Sequence, residues 1–190
     1  DIYVIDLTTK EVANITNDIF SESSPSWSSN GEIIYFTSDR GQNTSTNSMY
    51  DVDFSQTDIF QYSYQTNTVS QITNTEYNEN YPVASSDGNL FYTADYNGIT
   101  NIFKHNLSNN EAFPITNVVT GVQQIDLDSS DNLVFSGFKK RGWDLYIMNN
   151  PNTVSEKEIK PTKFYANKNR STDFEDLRTF TSKKVTLSPE

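Results

Sequence analysis

The 190-residue chain has no cysteine and a single histidine, His105. No disulfide framework can form, no thiolate is available, and a zinc site of the usual Cys and His type lacks its ligands. A Ser-His-acid triad would have to be built on His105, which lies in the strand-like stretch NIFKHNL, where an exposed strand side chain is expected. Glycine is scarce at 7 residues, and none falls in a P-loop, a G-x-G-x-x-G or a G-x-S-x-G pattern. No catalytic constellation is assembled, so the chain reads as non-enzymatic and no cofactor is expected. No apolar run approaches the roughly 18–20 residues of a membrane-crossing helix.

Basic residues are also few. Lys and Arg number 14 against 25 Asp and Glu, for a net charge of −11. Residues 1–155 hold 6 basic and 19 acidic groups, while residues 156–190 hold 8 and 6. Nucleic-acid binding needs clustered Lys and Arg, so this class is set aside. KKRG at 139–142 is the one basic cluster before residue 155 and reads as a solvated loop.

What the chain does have is a repeat. PSWSSNGEIIYFTSDRG at 25–41 returns as PVASSDGNLFYTADYNG at 82–98. DIYVIDL at Asp1 is answered by DIFQYS at Asp58, NIFKHNL at Asn101 and DLYIMNN at Asp144. An I-T phrase follows each time, with Ile15, Ile72, Ile115 and Ile159. The period is about 43 residues, with one unit lengthened by an insertion at 42–57, and such periods mark solenoids, propellers or arrays. Each unit holds short runs of β-branched and aromatic residues separated by SSNG, SSDG, QTNT or SNNE, the chemistry of tight hairpins. Four strands in about 43 residues make a propeller blade. The expectation is an all-β propeller of antiparallel four-stranded blades over 1–163. About 3.5 blades are present: residues 1–16 give two outer strands, and three complete blades follow, the last ending at 159–162.

The pattern P-x-W-S-x-[ND]-G, then apolar-x-F-T-S-D-R-G, D-I-[YF] and I-T resembles the TolB-like β-propeller repeat. The match is close at 22–74, good at 78–117 and weaker at 122–162, where QIDLDSSDN lacks the Pro, Trp and Gly. In this repeat the resemblance implies structural roles for Pro25, Trp27, Gly31, Asp39, Arg40, Gly41, Pro82, Gly88, Asp95, Gly98 and Gly142. The acid ties one strand to the next loop, the glycines close turns, and Trp27 packs between blades. TolB-like proteins dock partner proteins in the periplasm. The resemblance therefore implies a periplasmic, envelope or secreted scaffold for a protein or peptide, or for other domains of one longer chain. Similar propellers also precede the hydrolase domain of prolyl-oligopeptidase-like peptidases, where they gate substrate entry. Carbohydrate or a small ligand in a central channel is a third reading. An incomplete propeller is expected to be a piece of a longer chain or to close as a dimer.

The insertion is the best place for something beyond architecture. It lies in a second-to-third-strand loop, and such loops share one face of the disc with the connections between blades. That face gathers Tyr50, Asp51, Asp53 and Phe54 with Tyr77, Asn78 and Glu79, a mixture of acid and aromatic suited to a protein surface or basic peptide. DVDFSQTD at 51–58 and DLDSSDN at 126–132 offer oxygen ligands at alternate positions, making Asp51 and Asp53 calcium candidates. Both stretches lack the sharp-turn glycine and the distal Glu of a calcium loop. The remainder, 164–190, differs in charge and is expected to be a tail or linker, with a capping-box pattern that allows a short helix at 173–180.

Overall fold

A computed structural model describes residues 1–41 and 54–168; Tyr50, Asp51, Asp53 and the expected helix at 173–180 lie outside the described residues. The described residues form thirteen strands in four antiparallel sheets. The first sheet holds only β1 (Tyr3–Ile5) and β2 (Val12–Asn14). The second holds β3 (Glu22–Trp27), β4 (Ile33–Ser38), β5 (Asp58–Ser63) and β6 (Thr68–Gln71) in sequence order. The third repeats it with β7 (Glu79–Ala84), β8 (Asn89–Ala94), β9 (Asn101–Asn106) and β10 (Glu111–Pro114). The fourth has β11 (Val122–Leu127), β12 (Leu133–Lys139) and β13 (Gly142–Met148).

The repeated phrases have physical jobs. In the first three I-T phrases, the Thr hydroxyl accepts the second backbone N–H of the third-strand phrase: Ile2 to Thr16 at 2.7 Å, Ile59 to Thr73 and Ile102 to Thr116 at 2.8 Å. The neighbouring Ile enters the layer between sheets. Each innermost strand is broken by a bulge, with a left-handed residue at Ser24, Tyr81 and Gln124 and a register shift against its partner. A bulge bends the strand and raises its twist, so the innermost strands turn alike and β3, β7 and β11 lie near one another.

The core is a series of layers between sheets. Ile2, Ile34, Phe36, Phe60 and Tyr62 fill the first. Tyr35, Ile59, Leu90, Tyr92 and Phe103 fill the second. Val83, Phe91, Ile102, Ile125 and Leu133 fill the third. No sheet buries both faces alone, so each depends on its neighbours.

Three expectations are corrected here. The fourth sheet lacks its fourth strand. A left-handed residue at Asn150 and a 3-10 turn at Pro151–Thr153 lead the chain away from β13. It then crosses the outer edge of the third sheet, where Lys157 N donates to Pro114 O at 2.8 Å and Thr162 N to Asn97 O at 3.0 Å. Lys104 anchors the crossing: its Nζ donates to the carbonyls of Asn152 at 2.8 Å and Val154 at 3.3 Å and lies over the Phe113 ring. Ile159 therefore packs into the layer between the second and third sheets, not onto β13. The short helix α1 (Lys163–Lys168) ends this strap.

His105 is the second correction. It is buried, with Nε2 2.9 Å from Asn110 Oδ1 and its ring edge-on to Tyr92, because β9 lies inside a complete sheet covered by its neighbours. Third, Trp27 does not pack between sheets. It is half exposed and stacks on Tyr64 at 5.6 Å, because the two-stranded first sheet leaves a groove of about 750 Å³ beside it.

Candidate interaction face

The second-to-third-strand loops and the connections between sheets emerge on one face, as the strand order requires. Each complete sheet builds its corner of that face in the same way. Asp39 Oδ1 accepts the N–H of Ser21 at 2.8 Å, and Asp95 Oδ1 accepts that of Asn78 at 2.8 Å. The acid after the second strand thus ties it back to the loop entering the first, where the expectation was a tie to the next loop. Gly31, Gly41, Gly88 and Gly98 have positive φ and close turns, whereas Gly142 begins β13 without one.

Arg40 organises the second sheet's corner from within. Its side chain is buried, with Nε donating to Ser38, Nη1 to Asp18 at 3.0 Å and Nη2 to Glu22. Its guanidinium lies over the rings of Phe20, Phe36 and Phe60. The amino group of Asp1 lies 3.1 Å from the other Glu22 oxygen. The carboxylates of Asp1, Asp18 and Glu22 come together closely enough for a cation, and Arg40 already places one against Asp18 and Glu22.

The third sheet repeats the acid without the cation. Glu79 occupies the place of Glu22 but is buried; Thr75 donates to one oxygen at 3.0 Å, and among the described residues the carboxyl has no ion pair and its other oxygen no hydrogen-bond donor. Burial is the main reason its carboxyl is pushed up to about 7, with the neighbouring Asp58 and Asp95 adding to the rise. Asp58 is also raised by burial. Glu79 accordingly faces inward and is not part of the accessible surface.

Around these corners the face is aromatic and acidic. Phe54 is partly exposed and lies against Phe20 at 6.3 Å. Tyr77 meets Tyr96 edge-on at 4.6 Å, with Asn78 exposed beside them. Asp18 and Glu76 are also exposed there. Of the expected set, Phe54, Tyr77 and Asn78 therefore lie on this face, and sequence reading missed Tyr96 and Phe20. Tyr96 directly follows the repeat acid Asp95, a signal that was available, whereas Phe20 is buried and backs Phe54. At 126–132, Asp128 accepts the Asn132 side-chain amide at 3.0 Å and the backbone N–H groups of Asn132 and Ser130 at 2.9 and 2.8 Å, which makes this stretch a hydrogen-bonded turn and lowers the Asp128 carboxyl. Among the described residues, no helix is long and apolar enough to cross a membrane.

No family model and no curated protein matches the sequence. Solved structures do. A putative TolB from Agrobacterium tumefaciens aligns with a TM-score of 0.58 at 14% identity, over 72% of this chain and 48% of its own. TolB from Acinetobacter baumannii aligns at 0.57 and 19% identity, over 84% and 37%. The fold is that of TolB-like propeller proteins. A puromycin-hydrolyzing peptidase from Mycobacterium tuberculosis also aligns, at 0.56 and 11% identity, over 79% and 23%. The chain spans less than half the length of each of these structures. At such identities the likeness concerns the fold, and function must be argued from the site.

Proposed function

We propose that this chain is a non-catalytic interaction scaffold, part of a TolB-like propeller of a bacterial envelope or secreted protein. It docks a protein or basic peptide on the loop face that carries the 42–57 insertion. The observation behind this reading is the patch of accessible Phe54, Tyr77 and Tyr96 framed by Asp18, Glu76 and Asp95. Rings supply contact area at low entropic cost, while a surrounding acid field steers a basic partner and falls off with salt. The periplasmic setting follows the resemblance to TolB-like proteins. Photo-crosslinking tests the reading. A benzophenone side chain at Tyr96 should capture one defined protein in cells, and the same group at Asn30, on the opposite face, should not. Equal labelling from both positions would remove the proposal.

The alignment with the peptidase favours a second reading, a propeller that gates substrate for a hydrolase domain lying outside this chain. In that case the parent polypeptide would react with a fluorophosphonate probe. No reaction of the parent would leave the scaffold reading alone.

A further inference from the structure

The strap that leaves the fourth sheet uncovers its outer edge. Among the described residues, β13 is an edge strand where both complete sheets have one strand more. Its hairpin with β12 closes on Lys139 and Gly142, and the two turn residues, Lys140 and Arg141, both have positive φ. In this two-residue turn the closing pair exchanges its hydrogen bonds, so alternate residues from Gly142 onward bond to β12. The N–H and C=O groups of Trp143, Leu145 and Ile147 consequently point away from the sheet. Their side chains stand exposed beside that edge, with relative accessibilities of 53, 80 and 69%. A long apolar edge of this kind is one that folded proteins normally cover. At the hairpin end stand the exposed Lys139, Lys140 and Arg141, the basic cluster of an otherwise acidic region.

We propose that β13 takes up an extended segment of another polypeptide as the missing fourth strand. The partner segment carries apolar side chains at alternate positions and acidic residues at its C-terminal end. The direction follows from the two complete sheets, whose fourth strands run antiparallel to the third. An incoming strand placed that way ends beside Lys139–Arg141, where acid is complementary. Main-chain hydrogen bonds hold such a strand, and alternate side chains and the terminal charge select it. The Lys139–Arg141 turn is a second-to-third-strand loop and opens on the same face as the aromatic patch, but Trp143 emission reports the β13 edge alone, so failure here is distinguishable from failure of that reading.

The test uses the full chain with Trp27→Phe, leaving Trp143 as the sole fluorescent tryptophan. The probe is a short capped peptide of alternating Val and Thr ending in Glu-Glu, titrated at low salt. Binding should be saturable and shift Trp143 emission, and a peptide ending in Lys-Lys should bind about tenfold more weakly. The double variant Lys140→Glu, Arg141→Glu should reverse that order. A Glu-ended peptide N-methylated along the side facing β13 should not bind, and this control leaves the protein unchanged. Absence of saturable binding, or equal binding of the methylated peptide, would overturn the proposal. So would edge-to-edge dimerisation of the peptide-free chain in sedimentation, which would assign the edge to a second copy.

Discussion

Glu22 and Glu79 begin equivalent strands of adjacent sheets, yet one is neutralised and the other is not. Glu22 is paired with Arg40 inside the protein, so removing Arg40 leaves a buried carboxylate with one cation fewer. Breaking one partner out of a buried pair costs about 3–5 kcal/mol. Arg40→Ala should lower stability by that order in urea unfolding, and Arg40→Lys by less, because a point charge cannot reproduce the fork to Asp18 and Glu22. An exposed-type loss below about 1 kcal/mol would refute the buried role. Glu79 makes the opposite kind of prediction. Its carboxyl is raised to about 7 in the folded protein from an ordinary 4.5. The folded state then keeps a proton that the unfolded chain releases. Stability is unaffected below about pH 4.5, falls as pH rises toward 7, and stays reduced above it, by about 3 kcal/mol at most. Glu79→Gln should remove most of this fall and stabilise the protein at pH 8. A pH profile of the unfolding midpoint identical in wild type and variant would show that Glu79 is not the group responsible.

At the scale of elements, the strap over residues 154–162 is fastened at the Asp95–Gly98 turn. Gly98 has φ +82°, and a Cβ there would lie 3.0 Å from both Thr162 Oγ1 and Tyr165 Cβ. Gly88 has φ +85° with open space around it. Gly88→Ala should cost about 1 kcal/mol through the backbone alone. Gly98→Ala should cost more and should also loosen the strap, speeding tryptic cleavage after Lys157. Cleavage rates equal to those of Gly88→Ala would mean that the strap is not held at this turn. The strap also marks the limit of sequence reading. Strands β3 to β13 were legible because the second and third strands of each sheet are short β-branched and aromatic runs closed by turns, and the period places the more polar strands beside them. Ile159 matched the I-T phrase in spacing, but a fourth strand must follow its hairpin directly. Here Pro151 and the left-handed Asn150 lead the chain out first. The anchor that captures it, Lys104 bonding to Asn152 and Val154, joins positions about 50 residues apart, outside any local pattern. The Arg40 pairs were hidden for the same reason, although SDRG itself stood out. On the candidate face, topology placed Phe54, Tyr77 and Asn78 together, but the inward turn of Glu79 depends on packing that no local signal reports.

For the molecule as a whole, the sheets form a row in which each touches only its neighbours, so stability should be a sum of sheet and interface contributions rather than one global quantity. The middle sheets are covered on both faces. The first sheet has two short strands, with Tyr3, Ile5 and Val12 exposed, and the fourth ends in the open β13. Opening should therefore begin at the two ends and move inward. Hydrogen exchange under native conditions should find the slowest amides at Phe60, Tyr92 and Ile102, in strands flanked on both sides. The amides of Tyr3 and Ile5 should exchange fastest among strand residues, with Leu145 and Ile147 next, since their N–H groups face outward. Low urea should accelerate the end sheets before the middle ones. If all strand amides instead exchanged with one free energy and one urea dependence, the row would be a single cooperative unit. The strap, which carries contacts from the third–fourth layer at Val154 to the second–third layer at Ile159, would then be the element coupling the sheets, and Gly98→Ala should restore the graded pattern.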